Sequence, residues 1–247
     1  MSASTNKATS PDFPPPVTQD GVKILGEKLS AFFAGIDKPR ILEAGCGSGS
    51  VIKIPANAHV TGIDISQEEL DKNTVVHDKI VGDLQTHELP RDAFDLVVCW
   101  DVLEHLERPR LAMDNMATAV RPGGVLLLAF PNVRSLKAVV AKHTPLGFHK
   151  ALNRWIYGER AGSPGYLNFP TVLDSSIAPD RMYDFARSRE LEIEFSALQQ
   201  SGVQRRFFKK VGMGENGIHA FDKLVGIASF GNISVRESDC IFLFRRV

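Results

Sequence analysis

Cysteine is scarce in this 247-residue chain, and Cys46, Cys99 and Cys240 lie far apart, odd in number and without a C-x-x-C pair. That spacing excludes a disulfide framework and a zinc-finger pattern, and points to a reduced, cytoplasmic setting. Net charge is also missing: 29 Lys and Arg balance 29 Asp and Glu, which gives no general attraction to nucleic acid or an anionic membrane. The basic cluster of Arg205, Arg206, Lys209 and Lys210 reads as a solvated face. No apolar run reaches the length of a membrane span, the first residues lack the pattern of a signal peptide, and no internal repeat is visible. What is present is ordinary for a soluble globular protein, 43% hydrophobic and 23% charged, in a length that suits one domain with elaborations.

Residues 1–20 are rich in Ser, Thr and Pro and read as a mobile tail before a body spanning 21–247. Val22, Leu25, Leu29 and Phe32 recur at helical spacing, so a first helix is predicted up to a glycine cap at Gly35. Short apolar runs follow at Arg40 to Ala44, His59 to Ile63, Lys79 to Val81, Phe94 to Cys99 and Val125 to Phe130. Helical or turn segments such as Gln67 to Lys72 and Arg108 to Val120 separate most of them. Near-continuous apolar strands alternating with helices predict an α/β fold with a parallel sheet covered on both faces. A cap insertion is expected over about 134–174, built on one helix whose stripe is Phe148, Ala151, Leu152 and Trp155. A helix starting at Pro179, a strand from Leu191 to Leu198, a second elaboration over about 202–230 and a last strand from Cys240 to Phe244 complete the chain.

The strongest local signal is Ile41 to Gly49, an apolar strand running into a turn with glycine at 45, 47 and 49. Glycine there permits positive φ and close approach of a ligand to the main chain. Asp64 ends the next strand about twenty residues on, where an acid commonly bonds a ribose hydroxyl pair. The dinucleotide fingerprint would need a glycine where Ser50 stands, and no G-K-[ST] follows, so neither a nicotinamide fold nor a phosphate-hydrolysing loop is indicated. Cys46 reads as a small residue that fits the loop, since no general base adjoins it.

The E-x-G-x-G-x-G run of Glu43 to Gly49 resembles the first motif of class I S-adenosylmethionine-dependent methyltransferases. Gly82-Asp83-Leu84, Phe94 to Cys99 and Arg121-Pro122-Gly123-Gly124 are similar to that family's later motifs, in the same order. The resemblance covers roughly Leu25 to Asn132. It implies a Rossmann-like, doubly wound, seven-stranded sheet, mostly parallel with an antiparallel last strand. S-adenosyl-L-methionine is the implied cofactor, held by Glu43, Gly45, Cys46, Gly47, Gly49, Asp64, Ile65, Asp83, Leu84 and Trp100, and the implied partner is a small-molecule acceptor methylated at O, N or C. A protein or RNA acceptor, or a non-catalytic cofactor-binding module, is the alternative.

Methyl transfer depends chiefly on alignment, and an acceptor hydroxyl gains from a base. Asp101 and His105 follow the fourth strand, on the side where parallel strands face a ligand crevice, and are the catalytic candidates. The segment from Asp101 to His105 resembles the E-x-x-E-H stretch of ubiquinone-pathway O-methyltransferases, with Asp101 in place of the first glutamate. In those relatives the stretch is associated with a divalent metal, which would correspond to Asp101, Glu104 and His105. Asp101 is one methylene shorter, and Glu104 and His105 would point about a hundred degrees apart on a helix. No essential metal is therefore expected. His143, His149, Trp155 and Tyr157 are candidates to line an acceptor pocket in the cap, with packing favoured for Trp155.

Overall fold

The computed structural model of the chain describes residues 16–17, 20–144, 146–157 and 171–247. Seven strands form one sheet: β1 (Arg40–Ala44), β2 (His59–Asp64), β3 (Asp78–Val81), β4 (Phe94–Trp100), β5 (Val120–Pro131), β6 (Leu191–Gln199) and β7 (Asp239–Arg246). Their order is β3-β2-β1-β4-β5-β7-β6. The pairs from β3 to β5 are parallel, and β7 runs antiparallel to both β5 and β6.

Alternate residues of the central strands enter two separate cores, as the two-residue period of a strand requires. Ile41, Leu96, Val98 and Leu127 meet Leu25, Leu29 and Phe33 of α1 (Gly21–Phe33) and Leu70 of α2 (Gln67–Lys72). On the other face, Leu42, Val97, Leu126 and Leu128 meet Met113 and Met116 of α3 (Pro109–Ala119) and Met182 and Phe185 of α6 (Pro179–Ser188).

Several expected boundaries move. The glycine cap on α1 is corrected: the helix stops at Phe33, with Ala34 as its right-handed C-cap. The turn at Arg121 to Gly124 lies within β5, where Val120 already pairs with Phe94 and Arg121 Nε donates to Asp95 Oδ1 at 2.5 Å. Most of the predicted tail lies outside the described residues, but Val17 bridges the edge strand β6, donating to Ser196 O at 2.8 Å and accepting from Leu198 N at 2.9 Å.

The cap contains two helices where one was expected: α4 (Leu136–His143) and α5 (Leu146–Tyr157). The N-terminus of α4 is firmly held, because buried Ser135 caps Ala138 N at 3.1 Å and Leu136 N donates to Ser234 O at 2.9 Å. The second elaboration places α7 (Gly202–Lys210) and α8 (Glu215–Ala228) between β6 and β7. Phe208, Ile218 and Val235 form a small satellite core there, with Leu136 and Phe207 packed against it. Trp155 packs across onto α7: its ring stands edge-on to Phe207 at 6.1 Å, with the Lys210 ammonium 4.4 Å from its centroid. His143 is exposed, and the side chains of His149 and Tyr157 lie outside the described residues.

Candidate active site at the ends of the parallel strands

The glycine turn is held by its neighbours rather than by a following helix. Residues 45–58 join β1 to β2 without helical structure, although a parallel crossover usually contains a helix. Gly45 N donates to Ile63 O at 2.7 Å, and Asn73 Nδ2 donates to Gly47 O at 3.0 Å. Asp64 is central: Oδ2 accepts from Gly47 N at 2.8 Å and Oδ1 from Ser66 N at 2.9 Å. Ser66, not Asp64, caps α2 by accepting from Glu69 N at 3.3 Å. Each Asp64 oxygen retains lone-pair capacity for a further donor.

Gly45 and Gly47 have φ of +73° and +48°, in the left-handed region. A β-carbon at Gly45 would lie 2.9 Å from Val102 Cγ1 and closer still to Cγ2, whereas at Gly47 or Gly49 it would meet nothing within 4 Å. Gly45 therefore fits a packed corner, while the next two glycines border open space. Gly49 borders a recess also lined by Glu43, Gly45, Cys46, Val98 and Trp100. Glu43 is buried and accepts from Ser50 Oγ; burial raises its pKa, and the Ser50 bond partly offsets this. Burial, reinforced by the Asp64 and Glu43 charges, pushes the Cys46 thiol up to about 12, so it is no nucleophile.

Farther along the same edge, Ile65 is 73% exposed beside Asp64. Asp83 accepts from Gln85 N at 2.8 Å and from the Gln85 amide. The Leu84 side chain is buried in the core, leaving only its backbone for a ligand.

Beyond β4 the chain turns through Asp101 at φ +54°, whose N–H donates to Ala129 O at 2.9 Å. A positive φ at a residue other than glycine stores local strain, as is common at functional sites. Asp101 is exposed at the strand edge, although protein atoms crowd around its carboxyl. Desolvation first, and the Asp239 charge second, raise its pKa to about 6, against the pull of Lys137 and a hydrogen bond from the Trp100 side chain. Glu104 is 3% exposed, and burial together with the Asp101 charge pushes it up to about 8. Its Oε2 has no hydrogen-bond partner among the described residues.

Glu104 and His105 sit on a 3-10 turn, Leu103–His105, which corrects the expectation that they diverge: His105 Nε2 is 3.9 Å from Glu104 Oε1. Even so, among the described residues no three His, Cys, Asp or Glu side chains converge as metal ligands would, and the cation amid these carboxyls is the Lys137 ammonium.

Sequence reasoning missed Lys137 and Asp239, which form an ion pair of 2.9 Å. Neither belongs to a motif. The available signal was topological, since an antiparallel β7 must begin where β5 ends and so brings its first residue to the ligand edge.

The family described as "Methyltransferase domain" matches residues 21–191. The ubiquinone biosynthesis O-methyltransferase of Hydrogenovibrio crunogenus is 34% identical over 105 residues, 37% of this chain and 42% of that protein. Its counterpart in Rickettsia typhi is 30% identical over 125 residues, 47% of this chain and 50% of that protein. The chain thus spans half or less of the length of these curated relatives. Two solved structures share the fold over 92% of this chain, each with a TM-score of 0.52. The magnesium protoporphyrin IX methyltransferase of Synechocystis PCC 6803, solved with bound SAH, is 16% identical, with 84% of its chain covered. The [4+2]-cyclase SpnF is 17% identical, with 82% covered. Among the described residues, no helix is long and apolar enough to cross a membrane.

Proposed function

The chain belongs to the methyltransferase-domain family, and from that premise we propose that it transfers a methyl group from S-adenosyl-L-methionine to an oxygen of a small-molecule acceptor. One observation carries the cofactor reading: Asp64 holds Gly47 in a left-handed conformation with open space where a side chain would stand, in the same turn whose Gly45 and Gly49 line the recess. Asp64 would take the ribose hydroxyls, Ile65 and the backbone at Asp83 and Leu84 would hold the adenine, and Gly45 to Gly49 with Trp100 would surround the amino-acid end. When bound, the cofactor supplies a methyl group activated by a positively charged sulfur.

The chain's own contribution is alignment and proton handling. Asp101 links the two parts of the site, because the Trp100 side chain that borders the recess also hydrogen-bonds its carboxyl. Its raised pKa suits it to accept a hydroxyl proton near neutrality, and its position after β4 suits it to orient that hydroxyl. Glu104, protonated at neutral pH, places no second negative charge beside Asp101. His105 adds a second polar group on the same turn. The names of the curated relatives support an oxygen acceptor.

The test is calorimetry with S-adenosylmethionine and its demethylated product, beside oxidised and reduced nicotinamide dinucleotide. Binding of the first pair alone is the expected result; binding of the nicotinamides alone would reject the reading.

A further inference from the structure

Behind the strand edge that carries Asp101 lies a second concavity, a cavity of about 700 Å³ between the ends of β6 and β7, the start of α1, and α7 with α8. We propose that this cavity holds the body of the acceptor, and that the acceptor is a hydrophilic molecule bearing several hydroxyl groups. The proposal rests on the methyltransferase reading and names the substrate class for the same site.

Register places the cavity. Trp100 pairs with Ala129, Ala129 with Ile241 and Ile241 with Ala197, so the next residues outward, Asp101 and Leu198, stand at one level of the same edge. They are separated by the β4-to-β5, β5-to-β7 and β7-to-β6 steps, about 14 Å in all at the usual strand spacing. A metabolite of two or three rings spans that distance, with its reacting hydroxyl at Asp101 and its far end in the cavity.

The lining selects the chemistry. Ligand pockets are mostly apolar with a few polar groups, but here Leu198 is the sole aliphatic side chain among the described lining residues. Arg205 and Arg236 are donors, Asp20 and Glu237 are acceptors, and Gln199 supplies both. Arg205 makes no ion pair with any described residue. Arg236 is committed only loosely, 3.7 Å from Glu215 and 3.5 Å from His219 Nδ1. Donors and acceptors of both signs around one space match hydroxyl groups, which give and take a hydrogen bond each. A prenyl chain in the same place would strip water from these groups and return no bonds. This site therefore differs in kind from one built for a lipid-soluble quinone. It is also built largely by the segment between β6 and β7, and none of the described lining residues comes from the cap.

The experiment incubates the full chain with methyl-labelled S-adenosylmethionine and a total small-molecule extract of cells carrying its gene, separates the unreacted cofactor chromatographically, then partitions the transferred label between water and heptane. Label is expected in water, with Arg205→Ala lowering its rate of appearance about tenfold while binding of S-adenosylhomocysteine is unchanged. Arg205 is exposed on α7, so its removal leaves the fold intact. The proposal is overturned by label in heptane, by water-soluble label that neither Arg205→Ala nor Arg236→Ala slows, or by no label while S-adenosylhomocysteine still binds. Absence of S-adenosylhomocysteine binding to the unaltered chain instead rejects the methyltransferase reading itself.

Discussion

Lys137 Nζ lies 2.9 Å from Asp239 Oδ1, and this ion pair joins the first turn of α4 to the first residue of β7 beside the Asp101 carboxyl. The Lys137 charge lowers the pKa of both Asp101 and Glu104, while that of Asp239 raises them. Activity that needs ionised Asp101 rises with pH through about 6 and then levels off. Lys137→Met removes the cation, so the rise in kcat/KM moves to higher pH, which a pH–rate profile reads directly. As proton acceptor, Asp101→Asn lowers kcat by about 10²–10⁴-fold across the whole range.

Glu104 makes stability depend on pH in the opposite sense to an ordinary salt-bridged acid. Its carboxyl titrates near 4.5 when unfolded and near 8 in the fold, so between those values the native state binds more protons than the unfolded chain. Its contribution is full below 4.5 and is lost as pH rises through about 8. Glu104→Gln abolishes the dependence and raises Tm at pH 8.5 by about 2–4 °C for each kcal/mol recovered. Thermal melts of both proteins from pH 5 to 9 supply the comparison, and parallel curves would contradict the assignment.

Removal of Asp64 acts twice, on the ligand and on the loop that receives it. Asp64→Ala frees Gly47 N and Ser66 N and deletes the ribose acceptor, weakening S-adenosylhomocysteine binding by about 1–3 kcal/mol in calorimetry. Asp64→Asn keeps one acceptor oxygen and falls between the two. Equal affinity in all three proteins would reduce Asp64 to a structural acid.

Gly45→Ala meets two separate penalties, the positive φ and overlap with Val102, totalling about 2–4 kcal/mol. Pairing it with Val102→Ala relieves only the overlap. Denaturant melts of the two single variants and the double variant should therefore show partial recovery; full recovery would mean the backbone is not strained.

Amide exchange should divide the cap. The start of α4 is bonded to residues 232–239 and shares the satellite core through Leu136, so its amides exchange slowly. Helix α5 leans on α7 through the half-exposed Trp155 and exchanges faster. Uniform protection across both helices would contradict this division.

The sheet and the glycine turn were legible because both are written locally. Apolar runs such as Phe94 to Cys99 mark buried parallel strands, and Gly45 and Gly47 mark a turn that takes positive φ. The small helical lobe was less legible. Its packing is long-range: Phe207 meets Trp155 and Val235 meets Phe208, pairs that no periodicity within one helix announces. The same holds for Lys137 and Asp239, 102 residues apart in the chain. The 3-10 turn at Leu103–His105 escaped a helical reading because three residues are too few to show a period.

The absence of a helix between β1 and β2 also bears on how quickly the site exchanges its contents. A helix there would have to move as a rod, shedding several backbone bonds at once. Residues 45–58 instead rest on separate fastenings, chiefly Asp64 to Gly47, Asn73 to Gly47 and Ser50 to Glu43, with Ile52 and Ile54 pressed onto the core beneath. Such a strap can loosen one contact at a time, and with the cofactor seated as proposed its release would proceed by a series of small steps.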